Sequence, residues 1–258
     1  MKKQEITRTL KFLGWIALVL VIIGVIMAAI KKKSVAKTKV VKINIEPLPY
    51  GKNLLTKGDV LAELNKSFGY SLEGLQHKEV EVERVERVLE KYPFVLDADV
   101  FIDAENSVQI DIQQRIPILR IYDKMELSYY LDWEGNKLPI SKNYSPRLLI
   151  ASGNIPPFIP DFQERENHLL KATFDLANKI LANTFLLPLV EQIYINNKNE
   201  FILIPKLGKQ KILLGEYEYI ENKLYNLEIF YKKALPKEGW TKHKTLDLRF
   251  KDQVVGVR

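Results

Sequence analysis

Cysteine is absent from this sequence of 258 residues, which excludes disulfides, thiolate nucleophiles and zinc–thiolate sites and is compatible with an oxidising compartment. Histidine is scarce as well: His77, His168 and His243 stand far apart, without metal-ligand spacing such as His-Glu-x-x-His. All three are expected at the surface. The twelve glycines are scattered singly, so no Gly-rich loop is available to cradle a phosphate. Ser152-Gly153 lacks the flanking pattern of a nucleophile elbow and reads as a loop. Asp97, Asp99 and Asp103 alternate along one strand, as a solvated sheet face would place them. Asp132 and Glu134 precede Gly135 in what reads as a turn, and one turn does not supply the two facing carboxylates of a glycosidase. Nothing here supports catalysis, and the sequence calls for no cofactor and no metal.

Charge of one sign is abundant in only one place. Of 39 basic and 32 acidic residues, ten basic and one acidic fall in residues 1–42. That segment carries +9 and leaves 29 basic against 31 acidic residues, or −2, for the rest. The basic excess belongs beside a membrane, where it meets anionic headgroups, and the remainder is no basic nucleic-acid binder.

The only long hydrophobic run is residues 12–30, free of charge and bracketed by Lys11 and Lys31-Lys32-Lys33. At about 1.5 Å per residue it just spans a hydrocarbon core of roughly 30 Å. Met27-Ala28-Ala29-Ile30 runs straight into lysines instead of a cleavage site, so the expectation is an uncleaved transmembrane helix, preceded by a tail at 1–11 and followed by a tether at 31–39. Four basic residues precede the run, whereas six follow it by residue 42. Charge alone would therefore put the large C-terminal part in the cytoplasm.

Beyond the tether, Val41, Ile43 and Ile45 alternate with polar residues as in a half-buried strand that Pro47 and Pro49 end. Thr56 with Asp59 fits a capping box, Val60, Leu61, Leu64 and Phe68 follow at helical spacing, and Gly69 offers a stop. A second helix carries Val82, Val85, Val88 and Leu89 and closes at Pro93. Leu96 to Ile102 and Val108 to Ile112 alternate around Ala104-Glu105-Asn106, a hairpin. The order over 40–115 is strand, helix, helix, strand, strand, which suits a three-stranded sheet with both helices on one face.

Residues 116–258 read as a larger, β-rich α+β domain with two helices. Strands are expected at 118–121, 128–131, 190–195, 200–205 and 210–215. One helix is expected to start at Asp161-x-x-Glu164 and to carry Leu169, Thr173, Ala177 and Ile180. Another carries Ile220, Leu224, Leu227 and Tyr231 ahead of Pro236. The Val-rich segment Val254, Val255 and Val257 is a candidate edge strand with unpaired backbone groups.

Taken together, these residues resemble the FtsQ/DivIB family of bacterial cell-division proteins over nearly the whole chain. The pieces that agree in order and spacing are Tyr92-Pro93 with Val95 and Ala98, Gln114-Arg115-Ile116-Pro117, Tyr130-Leu131-Asp132 with Gly135, Leu213-Leu214-Gly215, and Leu246-Asp247-Leu248-Arg249-Phe250. The resemblance implies that residues 40–115 resemble a POTRA domain. It also implies a cytoplasmic N-terminus, domains outside the inner (cytoplasmic) membrane at the division septum, and a scaffold, not an enzyme. The scaffold would hold FtsB/FtsL-type bitopic proteins through Arg249, Phe250 and the strand Gln253, Val254, Val255, Gly256 and Val257, with other divisome proteins as further partners. Phe250 stands where the family pattern has Tyr. The alternative is a POTRA-bearing envelope-assembly or secretion factor, although such proteins usually carry a membrane β-barrel, whose series of alternating ten-residue strands is missing here.

Overall fold

The structure is a computed structural model that describes residues 14–28, 31, 36–208, 210–239 and 242–258. The chain divides into two compact units, Met1–Gln114 and Arg115–Arg258, both mixed α and β.

In the first unit, residues 14–28 are helical (α1), with the apolar side chains Trp15 to Met27 exposed. Among the described residues no helix is long and apolar enough to cross a membrane. Residues 12, 13, 29 and 30 of the expected span, and the tail at 1–11, lie outside the described residues.

Residues 36–39, expected as part of a tether, are bonded to the domain. Thr38 N donates to Leu75 O at 2.8 Å, Gly74 N to Thr38 O at 2.9 Å, His77 N to Ala36 O at 3.0 Å and Lys39 N to Asn106 O at 2.9 Å. Thr38 is buried beneath these bonds. The chain therefore enters the domain before the first expected strand.

Strands β1 (Val41–Ile45), β2 (Val95–Ile102) and β3 (Val108–Gln114) form a sheet in the order β1-β3-β2, with β1 parallel and β2 antiparallel to β3. Helix α2 (Lys57–Phe68) starts at a full Thr56–Asp59 capping box and stops at Gly69, whose φ of 77° suits the left-handed C-cap. Helix α3 (Val82–Glu90) packs on β2 and on α2. Val85 and Leu89 of α3, Val60 and Leu64 of α2, and Ala98, Val100, Ile110 and Ile112 of the sheet are all buried. A helix stripe of period 3.6 meets sheet faces of period 2, as the alternation requires.

Asp103 closes the β2–β3 hairpin. Its carboxylate accepts from Ser107 N and from Gln109 Nε2, each at 2.7 Å, and from Lys42 Nζ at 3.2 Å. The Ser107 amide, then Gln109 and Lys42, hold this carboxyl well below the usual carboxylate range.

The second unit is built on nine strands: β4 (Pro117–Tyr122), β5 (Ser128–Asp132), β6 (Lys137–Leu138), β7 (Leu149–Gly153), β8 (Val190–Ile195), β9 (Phe201–Pro205), β10 (Lys211–Gly215), β11 (Thr245–Asp247) and β12 (Val255–Val257). Their order in the sheet is β12-β11-β10-β9-β8-β7-β4-β5-β6. The parallel neighbours β7 and β8 are joined by helices α4 (Leu169–Ala182) and α5 (Leu186–Leu189), and β10 and β11 by α6 (Ile220–Ile229), a π-helical turn (Phe230–Ala234) and α7 (Leu235–Glu238). Parallel pairs need such crossovers. Ile121, Leu131, Ile193, Ile195, Leu203, Ile212, Leu214 and Leu246 of the sheet share one core with Phe174, Ala177, Ile180, Leu224 and Leu227 of the helices. Within it Tyr129, Phe158, Phe162 and Phe174 meet edge to face in series, with centroids 5.7 to 5.9 Å apart.

Four expectations need correction. Ser152 and Gly153 are strand, not loop: β7 lies between β4 and β8, where Gly153 has φ +101° and a side chain on it would collide with Ile195 O. The helix expected to start at Asp161 starts after His168, because residues 161–166 form turns that bury Phe162 and Asn167 adopts φ +57°. Pro236 does not end the final helix: the π turn precedes it and leaves it at the start of α7, where a missing N–H costs nothing. His77 and His243 are buried, not at the surface, and His168 is half-buried.

Candidate functional site

β12 is the outermost strand of its sheet, next to β11 at one side only. Its register pairs Thr245 with Val257, Leu246 with Gly256 and Asp247 with Val255. Gly256 lies against the imidazole of the buried His243, where any Cβ would overlap the ring. Val255 and Val257 are exposed on the other side. The strand begins at Val255, two residues later than expected, so Gln253 and Val254 belong to the connection from β11. Asp252, with φ +56°, turns that connection around.

Phe250, on the same connection, is 54% exposed. An aromatic ring in water beside an open strand edge is the usual composition of a binding anchor.

Arg249 is committed internally. Its Nη2 lies 2.7 Å from Asp247 Oδ2, its Nε 3.0 Å from Asp247 Oδ1, and its Nη1 3.4 Å from Glu200 Oε1. Asp247 is buried, and its bonds to Arg249 hold its carboxyl below the ordinary value. Glu200 is lowered too, first by Asn196 Nδ2 at 2.7 Å and then by Arg249. The same ion pairs raise the guanidinium in turn. The residue's backbone N also donates to Asp247 Oδ1 at 3.0 Å. Arg249 therefore ties the β11 end to the β8–β9 turn while its side chain, 45% exposed, still meets solvent.

Between this connection and the start of α6 lies a cavity of about 340 Å³. Glu216, Glu218 and Tyr219 form one wall, and Phe250, Lys251 and Asp252 form the other. Lys223 closes the floor: its Nζ donates to Leu214 O at 2.7 Å and to Glu216 O at 3.0 Å, and burial lowers its pKa. Sequence reasoning missed the α6 wall, because these residues meet residues 249–253 only through the β10–α6–β11 crossover. The available signal was the run Gly-Glu-Tyr-Glu-Tyr at 215–219, with acids and tyrosines alternating just before a helix.

Of the carboxylates weighed from the sequence, Asp103, Asp132 and Glu134 have structural partners, and Asp97 and Asp99 are exposed on the sheet. Asp132 Oδ1 accepts from Glu134 N at 2.9 Å and Asn136 N at 2.8 Å, while Oδ2 accepts from Arg115 Nη1 at 3.1 Å. It is a turn residue, as its place before Gly135 suggests. Among the described residues no group of three His, Asp or Glu side chains is placed to hold a metal ion.

No curated protein matches the chain. The model of one family does, across residues 116–257. This match covers more than half of the chain and takes in the whole nine-stranded unit from β4 to β12, so the chain belongs to the family described as FtsQ/DivIB, C-terminal related.

Proposed function

We propose that this chain is a non-catalytic scaffold of the bacterial cell-division machinery. It is anchored by a single span at residues 12–30, with the N-terminus in the cytoplasm and residues 34–258 outside it. Residues 40–115 form a POTRA-like domain, and residues 116–258 hold FtsB/FtsL-type bitopic proteins through Arg249, Phe250 and the segment Gln253, Val254, Val255, Gly256 and Val257. Family membership over residues 116–257 supports the cell-division role.

The observation that carries the binding role is the open edge of β12. Among the described residues no strand lies beyond its outward backbone N–H and C=O groups, and an added strand satisfies them while side chains at alternate positions set specificity. The acidic balance of the chain beyond residue 42 fits a protein partner better than a nucleic acid.

Imaging a fluorescent fusion in dividing cells tests the role: the fusion should gather at the septum, and an even distribution around the envelope contradicts it. Topology is tested by reporter fusions after Lys42 and after Arg258, both of which should be active only outside the cytoplasm.

A further inference from the structure

Residues 36–39 lie between the expected span and β1, and their attachment to the first unit is thin. Three backbone bonds tie them to the loop between α2 and α3: Thr38 N to Leu75 O, Gly74 N to Thr38 O and His77 N to Ala36 O. Lys37 faces Gln76 across the same seam in an isolated antiparallel bridge. Lys37 and Lys39 are exposed, Ala36 is half-buried and Thr38 is buried, so the segment brings no large apolar side chain into the core.

The seam also encloses polar atoms at a loss. Thr38 Oγ1, Gln76 Oε1 and both ring nitrogens of His77 are buried without a hydrogen-bond partner, and Thr38 and His77 are only 2% and 8% exposed. Such atoms lose their hydration and gain nothing for it, so they favour opening. β1 is attached differently: Ile43 enters the core and the strand pairs with β3 along its whole length. The chain therefore opens more readily at residues 36–39 than at the strand that follows them.

We propose that residues 36–39 are a releasable clasp that sets how far the first unit can stand from the membrane. This rests on the reading of residues 12–30 as the span. With the clasp closed, only residues 31–35 connect the span to the unit, and five residues reach at most about 18 Å when fully extended. With it released the connection is residues 31–39, and nine residues reach at most about 32 Å. Release leaves β1 in register with β3 and both helices on their contacts, because those pairings begin at Val41 and at Lys57. A scaffold held by one span thus meets its partners at two heights above the bilayer.

The test uses the full chain in lipid nanodiscs. Hydrogen exchange of the Thr38, Gly74 and His77 amides should be at least about tenfold faster than that of the bonded amides of β3. The chain has no cysteine of its own, so K37C/Q76C can be oxidised to a single disulfide across the seam. That bridge should slow the three amides to the rates of β3, and reduction should restore fast exchange. Reach is read by double electron–electron resonance between spin labels on K31C and E105C. Thr38→Pro, which deletes one donor of the seam, should enrich distances at least about 10 Å longer than those of the wild type. Protection of the three amides equal to that of β3, or exchange unmoved by the oxidised pair, overturns the clasp. Fast exchange with the same distances in Thr38→Pro overturns its control of reach. A chain that does not insert into the nanodiscs overturns the span and the reach together, while exchange still decides whether the seam opens.

Discussion

The Cγ of Arg249 lies 2.7 Å from the point where a side chain on Gly215 would begin. Gly215 also has a φ of +74°, a region that L side chains rarely adopt. The arginine can therefore lie flat across the end of β10 and reach Asp247 and Glu200 only because position 215 has no side chain. Gly215→Ala should push the Arg249 guanidinium off Asp247 and leave a buried carboxylate with only its backbone donor, costing about 1–3 kcal/mol. Arg249→Ala should cost a similar amount and the double variant little more than either, as chemical denaturation of the three would show.

Acid should act through the same pair. Asp247 holds its proton less firmly in the folded chain than in the unfolded one, because Arg249 donates to it. A lowered folded value means that the stabilisation is fully present above the unfolded carboxylate value, about pH 4, and fades as pH falls through the folded value. Arg249→Gln removes that share. Denaturation midpoints at pH 7 and pH 3 should therefore lie closer together for the variant than for the wild type. An unchanged gap would mean that other carboxylates dominate the acid response.

Gly256→Val should detach β12 without unfolding the sheet. A Cβ at this position overlaps the imidazole of His243, and the strand has only three residues with which to resist. Amide exchange at Val255–Val257 should quicken by an order of magnitude or more, while amides of β8 and β9, inside the sheet, keep their protection.

In the first unit Val85→Asp should destabilise by about 3 kcal/mol or more, since the site is fully buried against a sheet face lined by Val100 and Ile110. Thermal unfolding of the full chain should lose its transition for this unit while that of the second unit persists. A variant that unfolds like the wild type contradicts the packing.

Local rules made much of this fold legible. Period-two alternation located β1, β2 and β3, the short strands expected at 190–195, 200–205 and 210–215 are β8, β9 and β10, and the Thr56–Asp59 box and Gly69 gave both ends of α2. What escaped depends on partners distant in sequence. β7 is a short run, Leu-Ile-Ala-Ser-Gly, that is a strand because β4 and β8 flank it. His243 is buried because β12 places Gly256 against it. Of the candidate site, the resemblance gave Arg249, Phe250 and the strand edge, and no local signal told that Arg249 would pair with Asp247 and Glu200 or that Glu216 and Glu218 would line the same cavity as residues 250–252. Those facts follow from the helical crossover between β10 and β11.

The measurement that bears most directly on the central claim is the affinity of the full chain for the extracytoplasmic segment of an FtsB-type protein, compared for the wild type, Phe250→Ala and a chain ending at Asp252. If β12 is the docking edge, truncation should abolish measurable binding, and Phe250→Ala should weaken it by about 2 kcal/mol, roughly thirtyfold. Thermal unfolding should confirm that the rest of the sheet remains folded in both. A truncated chain that is folded and binds as tightly as the wild type would contradict the account and place the interface elsewhere on the molecule.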